Sequence, residues 1–214
     1  MLTFNLTPID HYKIGLNYLN KGEQLMPEFT AFSPNVKVNR QTILALVNGM
    51  GSIGIFKKMA LDALKTNGIE LLKSQEWYPQ QAWLNTFNYI AKEMGPQTLF
   101  QIGKKVPENA KFPPHIKSLE EALNSIDVTH HLNHKDGEIG HYDSMFVNDS
   151  KAVIISNNPY PCEFDRGIIE GICHKFKTKN TAFFVVEHDD KQPCRRNGAY
   201  SCTYFVSWVN RFKR

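Results

Sequence analysis

The hydrophobic period changes once along this chain, and that change constrains the fold more than any other feature. As far as His131 the apolar residues recur at three-to-four spacing, the repeat of helices; beyond it they fall in short β-branched runs, the repeat of strands. Helices first and strands later, with no internal repeat or linker, predict an α+β fold: N-terminal helices packed on a C-terminal antiparallel sheet of about four strands.

The helical part begins at Gln41. Leu44, Leu46, Val47, Ile55, Phe56, Met59, Ala60 and Leu64 follow the helical repeat up to a stop at Asn67-Gly68, and Gly49, Gly51 and Gly54 predict a break near Met50. Trp77-Tyr78-Pro79 reads as the opening of a second helix, whose stripe of Trp83, Phe87, Ile90 and Ala91 ends at Gly95-Pro96. Further helices are expected from Gln97 to Lys104 and after Ser118, where Glu121 completes a capping box. Ahead of Gln41, a short amphipathic stretch from His11 to Leu19 sits among prolines and asparagines. Residues 1–40 are therefore read as a leader or helical extension, and 41–214 as one domain. Strands are expected at Glu138–Val147, Lys151–Ser156, Thr181–His188 and Tyr200–Val209. Between the two hairpins they form, residues 163–177 make an amphipathic crossover helix.

Composition narrows the class. No run approaches the roughly 20 apolar residues of a membrane helix, and the start has no basic, apolar leader, so a cytoplasmic protein without a membrane span is expected. The net charge is +4, and the basic clusters are only Arg195-Arg196 and the tail from Arg211 to Arg214; no nucleic-acid partner is expected.

Strand order then separates the four cysteines. Cys162 follows the second strand, at the top of the sheet. The crossover helix returns the chain to the bottom, so the third strand ends at the top with His188, and the next loop carries Cys194 and Cys202. Three thiolates and an imidazole form a common tetrahedral zinc set. The spacing lacks a paired CxxC knuckle, so free thiols, or a disulfide between Cys194 and Cys202, remain open alternatives. Cys173 lies on the apolar face of its helix and reads as core.

The run Asn158-Pro159-Tyr160-Pro161-Cys162-Glu163-Phe164-Asp165-Arg166-Gly167 resembles the C-terminal half of 4-vinyl reductase domains. So does the block from Cys194 to Tyr204, with Trp208. That family belongs with haem–nitric-oxide-binding sensors and the small subunits of a Golgi tethering complex, and the resemblance is strong over about residues 138–209. It implies a structural zinc held by Cys162, Cys194 and Cys202. In phenol-sensing members a glutamate three residues before the second cysteine completes the set. Lys191 stands there, so His188, or its neighbour Glu187, is expected as the fourth ligand.

The resemblance also implies a small apolar or aromatic ligand between helices and sheet. Candidate lining residues are Trp77, Tyr78, Trp83, Phe87, His134, His141, Tyr142, Met145 and Phe146. The histidine-rich stretch from His130 to His141 reads as a polar loop, of which Asn133, His134 and Gly140-His141-Tyr142 are expected to face the pocket. Neither CxxCH nor the Tyr-x-Ser-x-Arg signature of haem–nitric-oxide sensors is present, so the sequence points away from haem. The glycines from Gly49 to Gly54 follow a helix rather than a strand and are discounted as a nucleotide site.

A stand-alone sensor domain with a structural zinc is the leading expectation. It would signal through a separate protein or as a homodimer paired through helices between Gln41 and Leu64. An enzyme using His134 or His141 as acid–base, acting on an aromatic or tetrapyrrole-like substrate, is the first alternative. A scaffold without ligand is the second.

Overall fold

The computed structural model describes residues 28–49, 54–71 and 75–211. The expected stretch at His11–Leu19 and the break near Met50 lie outside them.

From Glu28 onward the chain is tied to the rest of the fold. The Phe29 N–H donates to the Pro159 carbonyl at 2.9 Å, and the Ala31 N–H to Gln81 Oε1 at 2.9 Å. Strand β1 (Lys37–Asn39) leads directly into α1 (Arg40–Gly49), which is followed by α2 (Gly54–Thr66). Trp77-Tyr78-Pro79, expected to open a helix, instead forms strand β2 (Trp77–Pro79). Pro79 has an extended backbone, with ψ at 129°, and serves as the residue before helix α3 (Gln80–Met94). Gly95 takes φ +83°, which lets the chain turn sharply into α4 (Pro96–Asn109), where Pro96 occupies the tolerated first turn. Helix α4 runs past the expected end at Lys104 and keeps Pro107 inside its last turn.

Ser118 and Glu121 form the expected capping box at α5 (Leu119–Asn124). Helix α6 (Ile126–Leu132) takes in His130 and His131, so the histidine-rich stretch is helical where it begins. Strand β3 (His134–Lys135) then pairs with β1, and the small sheet has the order β2-β1-β3.

The main sheet follows: β4 (His141–Asn148), β5 (Lys151–Asn157), β6 (Thr181–His188) and β7 (Cys202–Asn210), all neighbours antiparallel, in the order β4-β5-β7-β6. Crossover helix α7 (Cys162–Phe176) joins β5 to β6. The α+β fold, its hairpins and its crossover are as the sequence predicts; the three-stranded sheet is an addition. Among the described residues no helix is long and apolar enough to cross a membrane.

Two apolar cores result. One lies among the N-terminal helices, around Trp83, Phe87, Ile102 and Phe164; the other lies under the main sheet, around Leu123, Ile172, Tyr204 and Trp208. Helices α4 and α7 meet at the seam between them, backbone against backbone. A Cβ on Gly103 would run into the Phe164 carbonyl oxygen, and one on Gly167 into that of Phe100. Backbone atoms cannot step aside as a side-chain tip can. Gly103→Ala is expected to lose about 1–3 kcal/mol in chemical denaturation despite the better helix propensity of alanine. An unchanged midpoint would show that the helices have room to part.

Candidate functional site

At the top of the main sheet four side chains converge. Cys162 opens α7, His188 ends β6, Cys202 begins β7, and Cys194 precedes the short 3-10 turn Arg195–Asn197. Their ligand atoms all lie within 4.8 Å of one another. Cys162 Sγ is 3.8 Å from Cys194 Sγ and 3.2 Å from Cys202 Sγ. Thiolates sharing a tetrahedral metal at about 2.3 Å would stand about 3.8 Å apart, so the spacing already suits one ion. The His188 Nδ1 meets the Asp190 carboxylate at 2.8 Å, while its Nε2 is buried with no hydrogen-bond partner. A ring held from behind by a carboxylate, with its other nitrogen turned inward, is the usual setting of a metal-ligating histidine.

One thiol of the cluster is biased toward its charged form. A hydrogen bond from Cys162 holds Cys202 toward thiolate, with the His188 ring and the Arg195 guanidinium adding to the effect. Cys162, sharing that bond and buried, is pushed up in turn. Glu28 Oε1 accepts from the Cys162 N–H at 3.1 Å and lies 3.0 Å from its sulfur. Glu187 is not part of the group, and Cys173 is buried in the sheet-side core.

Beside the cluster lies a buried ion pair. Arg195 Nη2 donates to Asp165 Oδ2 at 2.8 Å, and both side chains are within 1% of full burial. Ser156 Oγ and Asn158 Nδ2 donate to the same oxygen at 2.9 and 3.2 Å, and the Tyr142 hydroxyl donates to Oδ1 at 2.8 Å. Burial still raises the Asp165 carboxyl to about 6, against the pull of Arg195.

A cavity of about 40 Å³ sits at the seam of the two cores. Val106, Phe112, Phe164, Ile168 and Ile172 give it apolar walls; Thr42, Thr129, His130, Asn133, His134, Tyr142 and Tyr160 give it polar points. The hydroxyls of Thr42 and Thr129 are buried without a partner. His134 Nδ1 faces the His130 carbonyl at 2.8 Å and so carries the proton; its Nε2 then accepts from the Tyr160 hydroxyl at 2.6 Å. Gln80 Nε2 donates to that hydroxyl at 3.2 Å. His130 likewise spends its Nε2 proton on the Ile139 carbonyl at 3.1 Å, which leaves Nδ1 unprotonated.

Burial keeps both rings neutral: it holds His130 well below the usual imidazole range and His134 down at about 4. The sign of the consequence is definite. A histidine whose pKa is depressed on folding supports the fold fully above about 6.5, and this support is lost as the pH falls toward 4. Asp165, raised on folding, shifts stability the opposite way over part of that range. The comparison is therefore between wild type and His134→Gln. The stability advantage of the wild type should shrink by roughly 3 kcal/mol from pH 7 to pH 4. Parallel urea midpoints for the two proteins across that range would contradict it.

Of the residues singled out from sequence, the structure brings Asn133, His134 and Tyr142 to the cavity. Tyr78, Trp83 and Phe87 belong instead to the N-terminal core, with Phe87 reaching Tyr160 at 6.1 Å between ring centroids. Trp77 is half-buried on β2 beneath Lys135, whose Nζ stands 4.5 Å from the ring centre. His141 lies beside Asp143 at 3.6 Å on β4, Met145 pairs with Val153, and Phe146 is 40% exposed; none of them lines the cavity. Alternation along β4 turns His141 and Met145 to the face opposite Tyr142; Phe146 shares the Tyr142 face but lies four residues further along the strand, beyond the cavity. Thr42, Thr129, His130, Tyr160 and Phe164 were not singled out. His130 was legible as the i−4 neighbour of His134; the others carried no signal that separated them from ordinary core.

Comparison with known proteins yields no matching family model and no matching curated sequence. Solved structures do match. An H-NOX protein from S. oneidensis in the Fe(II) ligation state superposes with a TM-score of 0.59 at 13% identity, over 81% of this chain and 97% of that one. An oxygen-binding H-NOX domain related to soluble guanylate cyclases gives 0.56 at 14% identity, over 82% and 98%. The chain has the H-NOX fold. A third H-NOX structure, at 12% identity and a TM-score of 0.54 over 82% and 97% of the chains, comes from a study of haem distortion.

This corrects the sequence-based reading, which set haem aside on missing signatures. Two structures matched by this chain, at 14% and 12% identity, come from studies of haem redox potential and haem distortion, so haem is not to be set aside. The donor chemistry here suits iron, because His130 and His134 are buried, neutral imidazoles. The packing of the walls does not match: about 40 Å³ holds a few waters, and a macrocycle requires the lining side chains to move aside.

Proposed function

We propose that this chain is a sensor domain of the 4-vinyl-reductase type, which takes a small molecule at the seam between its helices and its main sheet. A structural zinc on Cys162, His188, Cys194 and Cys202 stiffens the top of the fold. The observation that carries the reading is the cavity itself: apolar walls, two neutral imidazoles, and the unpartnered hydroxyls of Thr42 and Thr129. Buried polar groups without partners are costly in a packed core, and a bound molecule or water relieves them. The fold it shares with H-NOX domains supports the same use of the site.

Haem is the ligand to test first. His130, whose Nδ1 is free, would hold the iron, or His134 would if it gave up the Tyr160 hydroxyl, and the group would supply binding of a diatomic gas. The chain's own part is to exclude water and to hold the imidazoles neutral through the Ile139, His130 and Tyr160 contacts. A zinc held by four protein ligands has no open position, so its role is structural. A cytoplasmic setting, and output through a homodimer or a separate signalling protein, complete the proposal.

Acid–base catalysis is less well supported. His134 has both nitrogens engaged and titrates near 4, and His141 lies off the cavity. The test is native mass spectrometry of purified protein together with haemin titration. A co-purified molecule, or a saturable Soret shift abolished by His130→Ala or His134→Ala, is expected. Protein that arrives empty and takes up neither haemin nor members of a small-molecule library would leave the scaffold reading in its place.

A further inference from the structure

The metal cluster and the cavity are joined by one polar chain, and both halves of its central ion pair are anchored to metal ligands. Asp165 lies three residues after Cys162, in the first turn of α7. Arg195 follows Cys194 directly, in the loop between β6 and β7. An ion that draws Cys162 and Cys194 together thereby draws Asp165 to Arg195. From Asp165 the chain continues to the Tyr142 hydroxyl at 2.8 Å, and the Tyr142 ring packs edge-on against His130 with centroids 5.2 Å apart. A second arm runs from Arg195 Nη1 to Asn158 Oδ1 at 3.1 Å, an oxygen that also accepts from the Tyr160 N–H at 2.9 Å. Tyr160 is the residue that holds His134.

We infer that Asp165 and Arg195 are positioning residues that couple the metal cluster to the cavity, setting Tyr142, and through it His130, according to whether the loop is clamped to α7. The inference rests on the zinc and cavity readings above. Its physical basis is that neither charge can remain buried alone. If the loop lifts, Arg195 leaves with it, and Asp165 must find water or another partner. The Tyr142 hydroxyl, which donates to Asp165, is then released from its place in the cavity wall. Coupling of this kind is reciprocal, so a molecule that displaces Tyr142 or Tyr160 alters the affinity for zinc.

The test needs no knowledge of the ligand. Full-length protein is stripped with a chelator and titrated with zinc. Metal content is measured by mass spectrometry, and the ring nitrogens of His130 and His134 are followed by NMR. If stripping unfolds the chain, exchange of zinc for cadmium perturbs the cluster in folded protein and the same rings are read. In wild type both ring signals should shift with metal loading. In Tyr142→Phe, which removes a single hydroxyl and keeps the ring, metal should bind at the same stoichiometry while the His130 shift is lost. A general stiffening of the fold by zinc would move the rings equally in both proteins, and that result overturns the coupling. So do unmoved rings in a wild type that binds zinc. Absence of zinc binding appears in the metal content alone; it overturns the zinc reading and the coupling with it.

Discussion

Cys202→Ser should strip the protein of zinc and lower its melting temperature by about 10 °C or more. Cys202 is fully buried and 3.2 Å from Cys162, and contacts with Cys162, His188 and Arg195 already hold it toward thiolate. A serine hydroxyl keeps its proton at neutral pH and cannot replace an anionic sulfur. The remaining three donors would bind the ion much more weakly, and the binding energy that helps fold the loop would be lost with it. For a chain of this length each kcal/mol shifts the melting temperature by roughly 2–4 °C, so a loss of about 3–5 kcal/mol gives the stated fall. Cys173→Ser is the control: equally buried but outside the ligand group, it should cost some stability and leave the zinc content at about one per chain. Wild-type protein that is folded and free of metal would end the argument.

The second large effect belongs to Arg195. Arg195→Met removes the counter-charge from an Asp165 that is fully buried. Breaking one half of such a pair typically costs about 3–5 kcal/mol, because the surviving charge remains in a place that cannot solvate it. Asp165 has a limited escape: its carboxyl is already raised to about 6, so it can take up a proton, and the loss should be smaller at pH 5 than at pH 8. Arg195→Met with Asp165→Asn should be more stable than Arg195→Met alone, since no charge is then left unpaired. Denaturant unfolding of the two variants measures the difference. A double variant that is worse than the single would mean that the hydrogen bonds of Ser156, Asn158 and Tyr142 matter more than the charge.

Much of the fold was legible because strands and helices announce themselves by period. β6 was bounded correctly at both ends, α7 within one residue, and the gathering of Cys162, His188, Cys194 and Cys202 followed from strand directions alone. Three-residue strands leave no such trace. β1 and β2 bury one or two side chains each, too few for alternation to register, and Trp77-Tyr78-Pro79 therefore passed for a helix start. The cavity was harder still. Its apolar walls come largely from α4 and α7, whose inner faces look the same whether they meet a neighbour or a void. Aromatic content was a poor guide: Trp83 and Phe87 fill space, while the cavity depends on two threonines and a tyrosine whose surroundings no local pattern reveals.

The small sheet sets how motion can pass through this protein. His134 is paired with Val38 in the β1–β3 ladder, and two residues after Val38 the chain becomes α1, whose Thr42 faces the same cavity. The imidazole and the threonine thus ride on a single backbone splice. A guest that pushes against either of them therefore strains the start of α1 along with the wall it touches.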